Sequence, residues 1–420
     1  MELKPGYKQT EVGRFPESWS VKELGDFAPF ITSGSRGWAN YYSEFGDVFL
    51  RITNLSRSWL YPRLDDLKFV SLPKGDSEGA RTQLKDGDLL ISITADIGVV
   101  GYVNAKVPKP AYINQHIALV RLDPSSVNSL YISYFLASAN GQALFRALAD
   151  SGAKAGMNLS TVRKILTVAP PSLDEQKAIA DTLSDTDDLI ESLEQLLTKK
   201  RQIRQGAIQE LLTGKRRLAG FSGEWIKKSL GECLLASPDY GINASAVPYS
   251  DRLPTYIRIT DITEEGRFAP APLVSVAHPC AEKYYLNEGE LVFARTGASV
   301  GKSYLYKTSD GVLVFAGFLI RVRLDPSILD SVFFAYFVQT NIYWGWVKLM
   351  SMRSGQPGIN SKEFSQLPLS VPSVTEQVAI CSIISGIESE VVAIETKLQK
   401  TRHLKQSMMQ ELLTGRIRLV

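Results

Sequence analysis

The sequence is poor in the residues that build metal centres, disulfide scaffolds and membrane spans. Its three cysteines, Cys233, Cys280 and Cys381, are scattered without a CxxC pair, which argues against a zinc site or a disulfide framework. The longest apolar run, Gly311 to Ile320, is well short of the ~20 residues that a bilayer span needs. Because Met1 opens a polar segment and not a signal peptide, we expect a cytoplasmic protein without a membrane partner.

A large excess of positive charge is also missing. The formal net charge is only +3, so any nucleic-acid surface must come from local clusters of cations. At 420 residues the chain is too long for one typical core and suits two or more domains.

Enzyme motifs are absent or incomplete. Gly297 to Ser303, GASVGKS, resembles a Walker A loop but has three residues between its glycines where the motif has four. Asp66 and Lys68 give only a fragment of a nuclease pattern, and the three histidines lie far apart without a paired nucleophile. Neither a DPPY-like or NPPY-like methyltransferase motif nor a glycine-rich cofactor loop occurs. We therefore expect a binding protein with no catalytic residue, no metal site and no cofactor of its own.

What the sequence does contain is a long stretch that occurs twice, once as a first spacer helix at residues 172–214 and once within residues 372–420, a second spacer helix with a C-terminal tail. Glu376 follows Glu175 by 201 residues and Glu411 follows Glu210 by the same 201, so neither copy has gained or lost a residue. Such a register is typical of a rigid helical spacer, because a helix rises about 1.5 Å per residue and its length therefore fixes a distance. About forty helical residues span roughly 60 Å.

Two domains are predicted beside these copies, at residues 19–171 and 215–371, after an N-terminal segment at residues 1–18. Short β-rich runs at Asp47 to Leu55, Asp88 to Thr94 and His116 to Leu122 are separated by Gly, Pro and Asp turns. Asp123 and Pro124 predict the start of a helix. The predicted fold class is mixed α/β (α+β).

The second domain repeats the first with drifting offsets. FLRITNL at Phe49 matches YIRITDI at Tyr256, and LKDGDLL at Leu84 matches LNEGELV at Leu286. These pairs are 207 and 202 residues apart, so the loops differ in length while the scaffold is shared. A common scaffold with varied loops suits a pair of recognition modules, although neutral divergence after duplication predicts the same drift.

Both long stretches carry a heptad seam. In the second copy apolar residues step by 4, 3, 4, 3, 4 from Ile380 to Leu398, and the first copy follows from Ile179 to Leu197. Apolar residues resume six positions on, at Ile203 and Leu404, and we interpret this as a break in both seams. Charge is acidic early and basic late in each stretch, which predicts an antiparallel coiled coil. The alternative is that each helix packs only on its own domain.

An antiparallel pair would hold two readers at a fixed separation. On DNA this predicts two short half-sites around an unread gap, matched to the helical turn of roughly 34 to 36 Å. A non-enzymatic protein-binding adaptor, with the coiled coil as a ruler, is the alternative function.

Several short motifs occur twice, in one order. They are the segments PPSLDEQ and VPSVTEQ before the two helices, both QELLTG endings and the LxxG[DE]L[LV] turns, and they follow the opening GYKQTEVGRFPESW. On these motifs the chain resembles the specificity (S) subunit of type I restriction-modification systems. The resemblance implies two target recognition domains, each reading half of a bipartite asymmetric double-stranded DNA sequence, joined by two spacer helices. It also implies docking of two DNA methyltransferase subunits and of restriction/translocase subunits, which would carry S-adenosylmethionine, ATP and Mg.

Base reading needs Arg, Lys, Asn or Gln on loops, with Ser and Tyr close by. The predicted DNA-binding residues are Ser35, Arg36, Asn40, Tyr41, Arg51, Asn54, Lys154, Asn243, Tyr249, Arg258, Arg295, Arg353 and Gln356. For Arg51 and Arg258, which match in the two repeats, an ion pair with a scaffold acid is the alternative role. The predicted subunit-docking residues lie at the seam break and are Lys199, Lys200, Arg201, Lys400 and Arg402.

Overall fold

The chain forms two compact units, each containing one α/β domain and part of each long helix. The computed structural model describes residues 5–34, 36–73, 77–150, 156–352 and 357–419. Unit 1 comprises Met1–Glu194 with Lys397–Val420, and unit 2 comprises Gln195–Thr396. The predicted mixed α/β class and the tandem arrangement of two repeated domains are confirmed.

Unit 1 is built from short strands and helices, followed by one long helix that continues into unit 2. Its strands are β1 Tyr7–Thr10, β2 Gly13–Pro16, β3 Ser20–Glu23, β4 Phe30–Ser33, β5 Tyr42–Ser43, β6 Asp47–Leu50, β7 Lys68–Val70, β8 Leu89–Ser92, β9 Val100–Tyr102, β10 Ala111–Ile113, β11 Ile117–Arg121 and β12 Leu166–Ala169. Its helices are α1 Ser77–Thr82, α2 Ser129–Ala137, α3 Ala139–Asp150, α4 Leu159–Arg163 and the long α5 Leu173–Leu211.

Two four-stranded sheets form the first domain. One is antiparallel in the order β4-β11-β8-β9, and the other has the order β10-β6-β7-β5 with β10 and β6 parallel. The alternation of side chains along β8 explains the layers, because Leu89 and Ile91 face the core that contains α2 whereas Leu90 faces the core of the second sheet. Strand β8 is therefore buried on both faces, as its continuous apolar sequence requires.

Unit 2 repeats this plan. Its strands are β13 Ile226–Ser229, β14 Leu234–Tyr240, β15 Ala246–Pro248, β16 Thr255–Ile257, β17 Val274–Val276, β18 Leu291–Ala294, β19 Ser303–Leu305, β20 Leu313–Phe315, β21 Leu319–Leu324 and β22 Pro368–Val371. Its helices are α6 Ser331–Phe337, α7 Asn341–Ser351, α8 Ser361–Ser365 and the long α9 Val374–Leu412, which continues into unit 1. The sheets have the orders β14-β21-β18-β19 and β15-β17-β16-β20, with β16 and β20 parallel.

The first helix of the first domain begins later than predicted. Asp123 does not cap it; its carboxylate accepts a hydrogen bond from the backbone N–H of Ser125 in a turn. Helix α2 begins at Ser129, where the side chain of Asn128 accepts the N–H of Tyr131. Asparagine is as good an N-cap as aspartate. Because the carboxylate of Asp123 is already used in its own turn, the helix begins after Asn128.

The long helices pack antiparallel, as predicted, and the contacts within each unit show it. In unit 1, Lys405 Nζ lies 2.6 Å from Asp187 Oδ1, which joins the late part of α9 to the early part of α5. In unit 2, Arg204 Nη2 lies 2.6 Å from Glu388 Oε1, which joins the late part of α5 to the early part of α9. Both members of the second pair are 201 residues from members of the first, so the repeat extends to individual ion pairs.

The same offset relates a second set of ion pairs, at the outer ends of the helices. In unit 1, Arg418 pairs with both carboxylate oxygens of the buried Glu175. In unit 2, Arg217 donates to both oxygens of the buried Glu376, at 2.6 and 2.8 Å. Bidentate pairs of this kind are stronger and more directional than single contacts, so they fix where each tail meets its helix.

The predicted break in the heptad seams is wrong. Ile203 and Leu404 are 43% and 56% exposed, so neither continues its seam. The heptad step instead leads from Leu197 and Leu398 to Arg204 and Lys405, whose side chains are only 21% and 13% exposed. The seams are continuous, with a cation in place of an apolar residue, because the opposite helix supplies a carboxylate partner, which is buried at Asp187 and half-buried at Glu388.

Helix α9 is, by length and composition alone, apolar enough to cross a membrane, with a mean hydropathy of 1.6 in its most apolar window. One such helix is weak evidence for a membrane span, since the core helix of a soluble protein meets the same criteria. Ile380 and Ile384 pack in the core of unit 2. Most of that window is nevertheless unburied, and Val378, Ile383 and Val392 are exposed.

Candidate DNA interface

A short 3-10 helix, Arg36–Tyr41, presents predicted DNA-binding residues of the first domain. Buried Trp38 anchors it, since its ring packs 5.0 Å from that of Phe49 and 5.4 Å from that of Tyr112. Arg36 and Asn40 are exposed and Tyr41 is half-buried against Trp38. An anchored loop with exposed cation and amide groups has the chemistry that base or phosphate contacts need.

Four of the predicted DNA-binding residues lie outside the described part of the chain. They are Ser35, Lys154, Arg353 and Gln356.

Arg51 and Arg258 both form ion pairs within their own domains. Arg51 Nη2 lies 2.9 Å from Asp66 Oδ2, and Arg258 donates to both oxygens of the buried Asp261 at 2.9 and 2.8 Å. The hydrogen bonds to Asp261 raise the pKa of the Arg258 guanidinium. Asn54 is buried, caps the N–H of Arg51 and donates to two backbone carbonyls. With its amide used inside the domain, Asn54 is not part of the exposed surface.

Three predicted residues of the second domain, Asn243, Arg258 and Arg295, line one cleft of about 850 Å³. Tyr240 and Phe318 complete its aromatic side, and both rings are substantially exposed. The structure thus brings together residues that are far apart in sequence: β14, β21 and β18 are neighbouring strands of one sheet, and β16, which precedes Arg258, belongs to the other sheet of the same domain.

Arg295 is positioned by these rings. Its guanidinium carbon lies 4.9 Å from the ring centroid of Tyr240 and 5.9 Å from that of Phe318. Its Nε donates to the carbonyl of Gly317 at 3.1 Å. Cation–π contacts and this hydrogen bond restrict the side chain without neutralising its charge.

Tyr249 lies apart from the lining of this cleft and is exposed. A hydrogen bond with Asp251 raises the pKa of its phenol, because the hydroxyl donates its proton to that carboxylate.

The first domain has different side chains at the equivalent positions. Strand register places Ser33 opposite Ala118 and Tyr240 opposite Ile320, so Ser33 corresponds to Tyr240. The backbone N–H of Ile93 donates to His116 just as that of Arg295 donates to Phe318.

Gln115 and His116, which sequence reasoning did not select, therefore occupy the positions of the first domain that are equivalent to Gly317 and Phe318 of the cleft. Gln115 Nε2 lies 3.1 Å from His116 Nε2, and Nδ1 of His116 is hydrogen-bonded to Thr94. Both side chains are half-buried. The internal repeat identifies these two residues from sequence, because an offset of 202 residues aligns Gln115 with Gly317 and His116 with Phe318.

The predicted docking cations divide into two groups. Arg201 and Arg402 pair with Glu395 and Glu194, and Lys200 pairs with Glu390, so these three join the two helices. Lys199 and Lys400 are exposed and have no ion pair among the described residues.

The charged residues of the segments that resemble enzyme motifs form ion pairs within the fold. Lys302 of the GASVGKS segment lies 2.6 Å from Glu264, and Asp66 pairs with Arg51. Among the residues that the structure describes, no group of three or more His, Cys, Asp and Glu side chains is placed to hold a metal ion.

Comparison with known proteins gives consistent matches along the chain. Residues 16–200 and 224–402 each match the family described as type I restriction modification DNA specificity domain. The chain is 22% identical over 435 residues to the specificity subunit of the EcoKI type I restriction enzyme of Escherichia coli (strain K12), with 96% of this chain and 90% of that protein covered.

Solved structures show the same fold. The crystal structure of the S subunit of a type I restriction-modification system from M. genitalium aligns with a TM-score of 0.58 and 14% identity, covering 98% of both chains. A chain from a structure describing complex assembly and conformational transition of the type I R-M system aligns with a TM-score of 0.53 and 14% identity, covering 96% of this chain and 99% of that one.

Proposed function

Because the chain belongs to the type I restriction-modification DNA specificity family, whose domain it carries twice, we propose that it is the specificity subunit of a type I complex. Each domain reads one half of a bipartite, asymmetric double-stranded DNA target. The family match favours this function over the protein-binding adaptor.

The observation that carries the proposal is the duplicated domain with different side chains at equivalent positions. The two sheets have the same strand orders in both units, whereas Ser33, Ile93 and His116 replace Tyr240, Arg295 and Phe318. Two readers with one scaffold and unlike contact groups suit two unlike half-targets.

Partner subunits supply the chemistry in this proposal. Two DNA methyltransferase subunits bind S-adenosylmethionine and modify the target, and restriction/translocase subunits use ATP and Mg. This chain is the non-catalytic, cytoplasmic recognition subunit, and the lengths of α5 and α9 set the unread gap between the half-targets.

Exposed side chains on the long helices support docking of partners. Val378, Ile383 and Val392 of α9 are 53%, 42% and 50% exposed, so this helix offers apolar side chains that a docked partner would cover. Lys199 and Lys400 lie at equivalent positions of the two helices and are available to acidic partner surfaces.

Methylome sequencing tests the function directly. The full chain is expressed with its methyltransferase subunits in a host without other adenine methylation, and the same host expressing the methyltransferase subunits alone is the control. We expect one bipartite motif, two short specified blocks around an unspecified gap, only when the chain is present.

Duplex binding by the purified complex provides a second test. DNA reading predicts a steep fall in affinity with added salt, because phosphate contacts release counterions, together with preference for the motif at physiological salt. A complex that methylates without any bipartite motif, or binds all duplexes equally, would show that the proposed function is wrong.

A further inference from the structure

Arg295 differs from Arg258 and Arg321 of the same domain because it has no acidic partner among the residues that the structure describes. Arg258 is paired with Asp261, and Arg321 Nη2 lies 2.7 Å from Asp239 Oδ2. Arg295 instead packs on the rings of Tyr240 and Phe318 and uses only its Nε, which donates to a backbone carbonyl. Among the described residues, its two terminal nitrogens have no hydrogen-bond partner.

The surroundings of Arg295 are held by backbone hydrogen bonds. Its N–H donates to Phe318 at 3.1 Å, and its carbonyl accepts the N–H of Ile359 at 2.9 Å. The hydroxyl of Tyr240 accepts the N–H of Ser361 at 3.1 Å, which orients that ring. A guanidinium fixed in this way loses little conformational entropy when it binds. Its two terminal nitrogens therefore form a pre-organised pair of donors, referred to below as the fork.

A pre-organised fork with two donors matches one base edge in the major groove. Guanine presents O6 and N7 as adjacent acceptors, and arginine binds them bidentately, the commonest specific protein–DNA contact. A phosphate is also a double acceptor that arginine binds bidentately, so the two terminal nitrogens by themselves fit both ligands. The exposed rings of Tyr240 and Phe318 also favour an environment of stacked bases over the hydrated DNA backbone.

Resting on the proposed DNA-reading function, we infer that Arg295 is a specificity-determining residue that reads a guanine in the half-target of the second domain. The first domain carries Ile93 at the equivalent position, and this side chain is only 6% exposed. An isoleucine offers no hydrogen bond, so this mode of guanine reading is confined to one half of the target.

The test uses the full chain with its methyltransferase subunits and the same methylome readout. Arg295→Lys keeps the charge but removes the fork, and Arg295→Ala removes both. Arg252→Lys is the matched control, since Arg252 is exposed in the same domain and has no ion pair among the described residues. We expect both Arg295 variants to relax one G·C pair in one half of the motif, with about 5- to 150-fold weaker discrimination there. All other positions, and the Arg252→Lys motif, should stay unchanged.

Several outcomes would overturn the inference. An unchanged motif in both variants would show that Arg295 reads no base, and relaxation of an A·T pair would show that it reads another base. Equal loss of modification at all sites, without relaxation of any single position of the motif, would identify a phosphate contact. If Arg295→Ala fails to fold by circular dichroism, Arg295→Lys alone decides between these results. Absence of any motif with the wild-type chain would instead reject the proposed function.

Discussion

Lys405 Nζ lies 2.6 Å from Oδ1 of the fully buried Asp187, while the hydroxyl of Tyr134 donates to Oδ2 of the same carboxylate at 2.8 Å. The ammonium also lies over the rings of Trp59 and Tyr134, at 5.6 and 5.7 Å. One contact network therefore joins the first domain, the early part of α5 and the late part of α9. Both charges are removed from water, so each depends on the other.

Removing the cation should destabilise the chain strongly. We expect Lys405→Met to lower the free energy of unfolding of the full chain by about 3–5 kcal/mol, because Asp187 is left buried and unpaired. Urea unfolding followed by circular dichroism measures this. Lys400→Met is the control, since Lys400 is exposed and an unpaired surface lysine contributes little. Equal stability of the two variants would contradict the buried-pair argument.

The penalty of Lys405→Met should depend on pH. Burial raises the pKa of Asp187, so this carboxyl takes up a proton at a higher pH in the folded state than in the unfolded chain. A raised folded-state pKa stabilises the fold at low pH, and this stabilisation is lost as the pH rises through that pKa. The penalty should therefore be largest at neutral pH and shrink as the pH falls through the raised carboxyl pKa. Adding Asp187→Asn to Lys405→Met should flatten this dependence, and a penalty that grows on acidification would show that another group is responsible.

The exposed lysines of the long helices should act in assembly and not in folding. We expect Lys199→Glu combined with Lys400→Glu to leave the midpoint of thermal unfolding nearly unchanged and to reduce co-purification of methyltransferase subunits at least about tenfold, the effect of roughly 1.4 kcal/mol. Lys164→Glu, an exposed lysine outside the long helices, is the charge-matched control. Normal co-purification of the double variant would move the docking surface to other residues.

Gln115 should contribute to the half-target that Arg295 does not affect. A glutamine amide pairs bidentately with adenine N6 and N7, so Gln115→Ala should relax one base pair in the other half of the methylated motif by about 5- to 150-fold. Gln115→Asn, with the same amide on a shorter stem, tests whether reach matters. If Gln115→Ala and Arg295→Ala relax the same half, the two domains do not read separate halves.

The sequence predicted the structure correctly where the pattern of apolar residues on one face of an element determines its packing. The heptad steps and the charge gradient predicted the antiparallel helices, because buried apolar positions and complementary ends leave few other arrangements. The same reasoning failed at Ile203 and Leu404, since apolar residues alone define a seam only when no carboxylate of the opposite helix pairs with a cation such as Arg204 at the seam position. The helix at Ser129 was predicted too early because two good capping residues, Asp123 and Asn128, compete locally.

The candidate interface was less predictable for a physical reason. Arg258 and Arg295 look alike in sequence, yet one is bound to Asp261 and the other packs on aromatic rings. Which arginine is available depends on tertiary neighbours that residue type and spacing do not reveal. The repeat alignment was the unused source of information, because it places Arg295 opposite Ile93 and Phe318 opposite His116.

Unit 1 is built from two segments that are far apart in the chain, and this affects the order in which the units fold. Its core combines Trp19 with Leu412 and Leu413, and the hydroxyl of Tyr7 donates to the carbonyl of Gly415 at 2.8 Å. Unit 2, by contrast, is the single segment Gln195–Thr396. Domains usually finish folding in the order in which they leave the ribosome, but here the unit that is started first must be finished last. The N-terminal domain therefore waits, with part of its core missing, until almost the whole chain has been translated.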